Sequence, residues 1–309
     1  MNTVVFEDQT LRDGLQNESR VFTVDEKLRL LDMLIEAGLK RIQLGSFVHP
    51  KRVPQMANTD EFVRAAGQRE GISLTGLILN EKGLERALDC GISDVALSVS
   101  VSDAHSRRNV NKPAREALDT MAPLVEKAVQ AGLNVRAGLQ CAFGCVLEGA
   151  IDPAKVTSAA RTMASAGAQE INLADTTGMG NPSMIRDVCQ RVQEAVPQAG
   201  LVLHLHNTRG LGISNMLAGY ESGVRVFDVC TGGLGGCPFV KGAAGNIPTE
   251  DAVHVFEAVG VSTGVEVKAL MPAVDLLEEQ LGRSLPGHMK KVIQSGQPLW
   301  PEAGGHVNA

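Results

Sequence analysis

The sequence predicts an α/β fold, a closed (β/α)8 TIM barrel with an additional C-terminal helical segment, and three observations carry that prediction. A helical pattern that ends in a small residue plus glycine and runs into an apolar strand recurs six times. Eight short apolar strands alternate with helical patterns, which implies right-handed βαβ units in a parallel sheet. Chemically loaded residues gather where the strands end, the rim on which such barrels build their sites.

The opening strand, Val4 to Phe6, leads to a helical pattern over Val24 to Glu36 and the first stop, Ala37-Gly38. Glycine just past a helix supplies the left-handed cap that ends it. Strands follow at Arg41 to Leu44, Ser73 to Leu79, Val95 to Ser98, Val135 to Leu139, Ile171 to Ala174, Leu201 to Leu205 and Val224 to Val229. Helical patterns between them cover Thr59 to Ala66, Glu81 to Asp89, Pro113 to Gln130, Pro153 to Ser165, Pro182 to Val196 and Leu211 to Glu221, and Thr249 to Val259 follows the last strand. Residues 1–262 are thus expected to form the barrel and residues 263–293 a helical extension, with a helix over Val265 to Gln280 packed on the barrel or on another subunit. The polar stretch 294–309 is expected to be a mobile tail.

With 309 residues, 44% hydrophobic and 21% charged, the chain can bury one large core. Its net charge of -6, without a basic arm, argues against nucleic acid and anionic membranes as partners and for a small molecule. A homo-oligomer is compatible with this reading. Six cysteines are too sparse for a disulfide scaffold, and the amino terminus shows no basic, apolar leader pattern, so a cytoplasmic location is expected.

The centre of the chemistry is Leu203-His204-Leu205-His206-Asn207. In a strand alternate side chains share a face, so His204 and His206 project together. The chain also offers a carboxylate at Asp13 and a carboxamide at Asn246, each just after an apolar run. Mixed nitrogen and oxygen ligands suit Mg, Mn, Co or Zn. Other loaded positions share the rim: Arg12 and Gln16 after the first strand, Gln43 and Ser46 at the second, Asp175 and Thr176 at the sixth, and Cys237 after the eighth. The glycines and proline around Cys237 describe a tight loop that exposes it.

Three segments carry a family resemblance: Thr10-Leu11-Arg12-Asp13-Gly14-Leu15-Gln16-Asn17-Glu18, the run from Ser46 to Met56, and Gly233-Leu234-Gly235-Gly236-Cys237-Pro238-Phe239 with Gly242-Ala243-Ala244-Gly245-Asn246. They resemble 3-hydroxy-3-methylglutaryl-CoA lyase, one of a group of metal-dependent barrels that includes the isopropylmalate and homocitrate synthases. The similarity runs from Val4 to Val259 and is most specific in the Cys237 loop. It implies that Asp13, His204, His206 and Asn246 hold a divalent cation, Mg or Mn with Co or Zn as alternatives, and that Arg12 and Cys237 act in catalysis. Gln16, Gln43, Ser46 and Glu250 are expected to contact an acyl-CoA substrate, Glu250 also capping the last helix and reaching Arg12.

The implied reaction is a retro-Claisen cleavage of a 3-hydroxy-3-methylglutaryl-CoA-like thioester to acetyl-CoA and an oxo acid, acetoacetate. It needs a base for the carbinol proton, Asp13 or His204, a partner for the enolate oxygen, Arg12, and an acid for the enolate carbon, Cys237 or a water. Departures from the lyase pattern leave other readings open. Gln43 stands where the lyase has Glu, Asn207 where it has Asp, and Gly144-Cys145-Val146-Leu147-Glu148-Gly149 differs in the fifth loop. The alternatives are a lyase for another branched hydroxyacyl-CoA such as citramalyl-CoA, a Claisen synthase joining acetyl-CoA to a 2-oxo acid, and a catalytically silent acyl-CoA-binding barrel. Asp175 is expected to orient the histidines, and His49, His105, His254 and His288 to be surface or structural.

Overall fold

Strand β1 (Val5–Asp8) pairs in parallel with β2 (Arg41–Ser46) on one side and β8 (Val226–Val229) on the other, so the sheet closes on itself. In chain order between them stand β3 (Ser73–Leu77), β4 (Asp94–Ser100), β5 (Asn134–Gln140), β6 (Glu170–Asp175) and β7 (Gly200–Leu205). The computed structural model describes residues 2–236 and 245–300. Helices α1 (Val24–Glu36), α2 (Thr59–Ala66), α3 (Glu81–Asp89), α4 (Asp103–Val110), α5 (Ala114–Gln130), α6 (Pro153–Ser165), α7 (Pro182–Ala195), α8 (Gly212–Glu221) and α9 (Thr249–Ala258) complete the expected (β/α)8 barrel. None of the described helices is long and apolar enough to cross a membrane.

Helix α1 shows why the elements begin and end where they do. Thr23 Oγ1 accepts from the Glu26 amide at 3.2 Å, and the Glu26 carboxylate accepts from the Thr23 amide at 2.8 Å, a reciprocal cap. Its end at Gly38 has φ 104°, and a Cβ there would lie 2.3 Å from the Gly264 carbonyl oxygen, so only glycine fits. The chain beyond the barrel docks on this corner, with the Glu266 amide donating to the Ala37 carbonyl at 2.8 Å.

Two elements differ from the sequence reading. Helix α4 interrupts what reads as a loop; Ser102 caps it by accepting from the His105 amide at 3.2 Å, but its eight residues carry no apolar stripe. The single helix expected over Val265 to Gln280 is instead a 3-10 turn, Val267–Leu270, followed by α10 (Met271–Leu281). Pro272 accounts for the break, since a residue without an amide proton suits only a helix's first turn. A short α11 (Met289–Gln294) follows, and Trp300 stacks on the His254 ring with centroids 4.6 Å apart.

Apolar residues of the strands, such as Leu173, Leu203 and Leu205, are buried between sheet and helices. The alternate, inward positions are polar. Arg136 of β5 donates to Glu170 at 2.9 Å, Asp228 at 2.8 Å and Glu7 at 2.7 Å, while Arg41 bonds Glu7 and Glu170 at 2.7 to 3.0 Å. This ionic cluster joins five strands across the barrel interior. With every carboxylate in it hydrogen-bonded, its burial is tolerated, whereas removing one partner would cost about 3–5 kcal/mol.

A candidate metal centre at the carboxyl ends of the strands

Strand β7 places His204 opposite Ala174 of β6 and Asp228 of β8, with Leu203 and Leu205 turned into the core. His204 Nδ1 lies 3.1 Å from Asp228 Oδ2, which also accepts from Asn172 Nδ2 at 2.7 Å. A carboxylate beside Nδ1 holds the proton there and leaves the Nε2 lone pair free. Burial alone would raise the Asp228 pKa, but Arg136, His204 and Asn172 hold it below the usual carboxylate range. Asp228 is therefore the orienting carboxylate that sequence reasoning sought in Asp175. Asp175 instead accepts from the Met179 and Gly180 amides at 2.9 to 3.1 Å and fixes the turn after β6.

Arg12 and Asp13 sit in a single π-helical turn, Thr10–Gly14, that continues β1 into the rim. Asp8 anchors it: Oδ1 accepts from the Thr10 amide at 2.9 Å, and Oδ2 accepts from Thr231 and Thr249 hydroxyls at 2.9 and 2.8 Å. That carboxylate ties the first loop to the last. Arg12 donates through Nε to Gln43 Oε1, through Nη1 to Asp13 Oδ1 and through Nη2 to Gln9 Oε1 at 2.9 Å. Burial pushes the Asp13 carboxyl up, but the Arg12 guanidinium and the two nearby imidazoles outweigh it and hold the group well below the usual range.

Asn246 reaches the same point from the other end of the chain. It pairs with His206 as an isolated antiparallel bridge, and its amide nitrogen donates to Asp13 Oδ2 at 2.7 Å and to the Leu234 carbonyl at 3.2 Å. Gly235, at φ 96°, lies against both: a Cβ there would be 2.5 Å from Asn246 Nδ2 and 2.9 Å from Asp13 Oδ2.

These side chains meet the requirements of a cation. One ligand atom from each of Asp13, His204 and His206 lies within 4.8 Å of the others. The two Nε2 atoms are 3.1 Å apart, close to the roughly 3.0 Å between neighbouring ligands at about 2.1 Å from an octahedral ion. Asn246 Oδ1 is buried with no hydrogen-bond partner among the described residues, an acceptor left for such an ion.

The cluster opens onto a cavity of about 280 Å³, lined also by Arg12, Gln16, Gln43 and Ser46. The pairing of β2 with β3 slips between Gln43 and Gly45, a local irregularity of the kind that re-aims side chains at barrel rims. Gln16 and Ser46 make no side-chain hydrogen bond among the described residues. Gly236 is part of the wall and accepts from Asn17 Nδ2 at 2.9 Å. Cys237, the next residue, lies outside the described residues.

Glu250 is a correction. It does not line the cavity or reach Arg12; it is fully buried in the first turn of α9, where Oε2 accepts from the Gly232 amide at 3.0 Å. Burial pushes its pKa up to about 8. His105 is the opposite case: read as surface or structural, it is buried on α4 and lines the cavity. No sequence signal marked it, because α4 itself was not legible.

The chain is similar to known proteins along most of its length. The HMGL-like family model matches residues 3–277. The (R)-citramalyl-CoA lyase of Chloroflexus aurantiacus is 37% identical, covering 98% of this chain and 97% of that protein. The 3-hydroxy-3-isohexenylglutaryl-CoA/hydroxymethylglutaryl-CoA lyase of Pseudomonas aeruginosa is 40% identical, over 91% and 94% respectively. A solved HMG-CoA lyase from Acinetobacter baumannii, in complex with coenzyme A and 3-methylmalate, superposes with a TM-score of 0.88 at 35% identity, covering 100% of this chain and 97% of that one.

Proposed function

This chain belongs to the HMGL-like family, and from that premise we propose that it is a metal-dependent carbon-carbon lyase, cleaving a 3-hydroxy-3-methylglutaryl-CoA-like thioester to acetyl-CoA and an oxo acid. The observation that carries the reading is the meeting of Asp13, His204 and His206, with Arg12 beside them, in the wall of one cavity of about 280 Å³.

Asp13, His204, His206 and Asn246 would hold the cation. When bound it lowers the pKa of the substrate's hydroxyl and fixes its orientation. Mg or Mn suits a set with carboxylate and carboxamide oxygens, with Co and Zn the alternatives. Arg12 spends three of its five N–H groups on Gln43, Asp13 and Gln9, which clamps the guanidinium and leaves two to stabilise the thioester oxygen as it becomes an enolate. Of the two candidate bases for the carbinol proton, His204 would have no lone pair left with Nδ1–H on Asp228 and Nε2 on the cation, so the role falls to a carboxylate oxygen of Asp13. Cys237, following the wall residue Gly236, protonates the enolate carbon. Gln16, Gln43 and Ser46 contact the acyl group. The location proposed is the cytoplasm.

A citramalyl-CoA-like substrate is the second reading. It is favoured by Gln43, which meets Arg12 with a neutral amide where the methylglutaryl lyase pattern has a carboxylate, and by the citramalyl-CoA lyase relative. The test is acetyl-CoA release from methylglutaryl and citramalyl thioesters by metal-depleted protein, with and without Mg or Mn. Metal-dependent release from either is expected, and the preferred thioester separates the two readings. A condensation of acetyl-CoA with a 2-oxo acid, but no cleavage, would point to a synthase. No turnover in any arm would leave a silent acyl-CoA-binding barrel.

A further inference from the structure

The cavity carries polar groups that the mechanism does not use. Gln140 ends β5 and lines the same cavity as Asp13, His204 and His206. Among the described residues its side-chain amide makes no hydrogen bond, and its Oε1 is buried without a partner. Oε1 can only accept, so what this amide offers an anionic ligand is its N–H groups, and a carboxylate would leave Oε1 as it stands.

The backbone that aims Gln140 is held under strain. Cys141, the next residue, has φ 60°, a conformation that a residue with a Cβ rarely adopts. It is kept there by Thr176 Oγ1, which accepts from the Cys141 amide at 2.9 Å, and by the Ala142 amide, which donates to the Ala174 carbonyl at 3.0 Å. Strain of this kind persists only where the surroundings over-determine it. The end of β5 is thus fixed, and Gln140 with it.

His105 and Asn109 of α4 line the cavity too. Burial keeps the His105 pKa below its ordinary value, so it offers a neutral imidazole. The set contributed by α4 and the end of β5 is therefore uncharged and rich in hydrogen-bond donors. Arg12, by contrast, is already clamped by three acceptors. The dicarboxylic acyl thioesters of the proposed reaction carry a free carboxylate besides the hydroxyl and the thioester.

We propose that Gln140 is the specificity-determining residue for that free carboxylate, its amide N–H donating to a carboxylate oxygen at the end of the acyl group remote from sulfur. This rests on the lyase reading above and names which part of the acyl group selects the substrate.

The experiment compares wild type, Gln140→Leu and Gln140→Glu in binding two thioesters, 3-hydroxy-3-methylglutaryl-CoA and its neutral counterpart 3-hydroxy-3-methylbutyryl-CoA, by calorimetry on metal-depleted protein. Turnover is recorded separately in the presence of Mg. Losing a hydrogen bond to a charged group should weaken binding of the dicarboxylic thioester by about 10-fold or more in the leucine variant. Binding of the neutral one should stay within about 2-fold. The glutamate variant, which places a like charge at the carboxylate, should lose more than the leucine variant. Unchanged discrimination between the two thioesters in Gln140→Leu, or a parallel loss for both, overturns the assignment. Wild type that binds the dicarboxylic thioester selectively but cleaves nothing overturns the lyase reading and leaves Gln140 to be judged by the binding ratio; binding of neither thioester overturns both.

Discussion

At the scale of single residues, Asp228 decides whether His204 can serve as a ligand. It takes the Nδ1 side of the imidazole at 3.1 Å while Asn172 and Arg136 hold the carboxylate in place. Asp228→Asn keeps the shape but loses the charge, and Mn affinity measured by titration calorimetry is predicted to fall about 10- to 100-fold. Unchanged affinity would mean the pairing is only structural. The two histidines were legible from their spacing, because an i, i+2 pair in a strand must share a face. Asp228 was not, because one acid within Val-Phe-Asp-Val says nothing until the register sets it opposite His204. Glu250 makes a second prediction. Burial pushes its pKa from 4.5 up to about 8, so between those values the folded state binds more protons than the unfolded one. Its contribution to stability is full below pH about 4.5 and is lost as pH rises towards 8. Gln in its place still accepts from Gly232, so Glu250→Gln should unfold at a higher temperature than wild type at pH 8 and show a flatter profile from pH 5 to 8. A parallel profile would rule out Glu250 as the source.

At the scale of elements, the rim is made by the loop that leaves each strand. The π-helical turn after β1 and the loop after β8 approach so closely that a Cβ at Gly235 would lie 2.9 Å from Asp13 Oδ2. Gly235→Ala is predicted to keep the barrel but to displace Asp13 and Asn246, lowering metal affinity by about 10-fold or more. Circular dichroism with metal titration checks both halves, and a variant that binds metal like wild type would contradict the close packing. Strands and most helices could be read from periodicity and glycine stops because one face of each is obligatorily apolar. Helix α4 could not, since it is set by the Ser102 cap and covers the cavity with polar residues. The place of His105 in the cavity wall was not legible for the same reason. The split before α10 was legible in Pro272, which the apolar pattern around it outweighed.

At the scale of the whole molecule, barrel closure brings together residues that are 233 positions apart in the Asp13–Asn246 contact. No local pattern encodes that contact; it follows once eight parallel strands are counted and their carboxyl ends placed on one rim. The family resemblance supplied the ligand set, and the fold supplies its geometry. The interior ionic cluster that runs from Arg41 to Asp228 was not visible beforehand, because each charged residue sits alone in an apolar strand and only closure pairs it with the others. The central claim is that these distant segments converge on one cation. It is tested most directly by anomalous diffraction at the manganese edge from crystals grown with Mn. The account predicts one peak in contact with Asp13, His204, His206 and Asn246. No peak there, or a peak that leaves either histidine without contact, would contradict it.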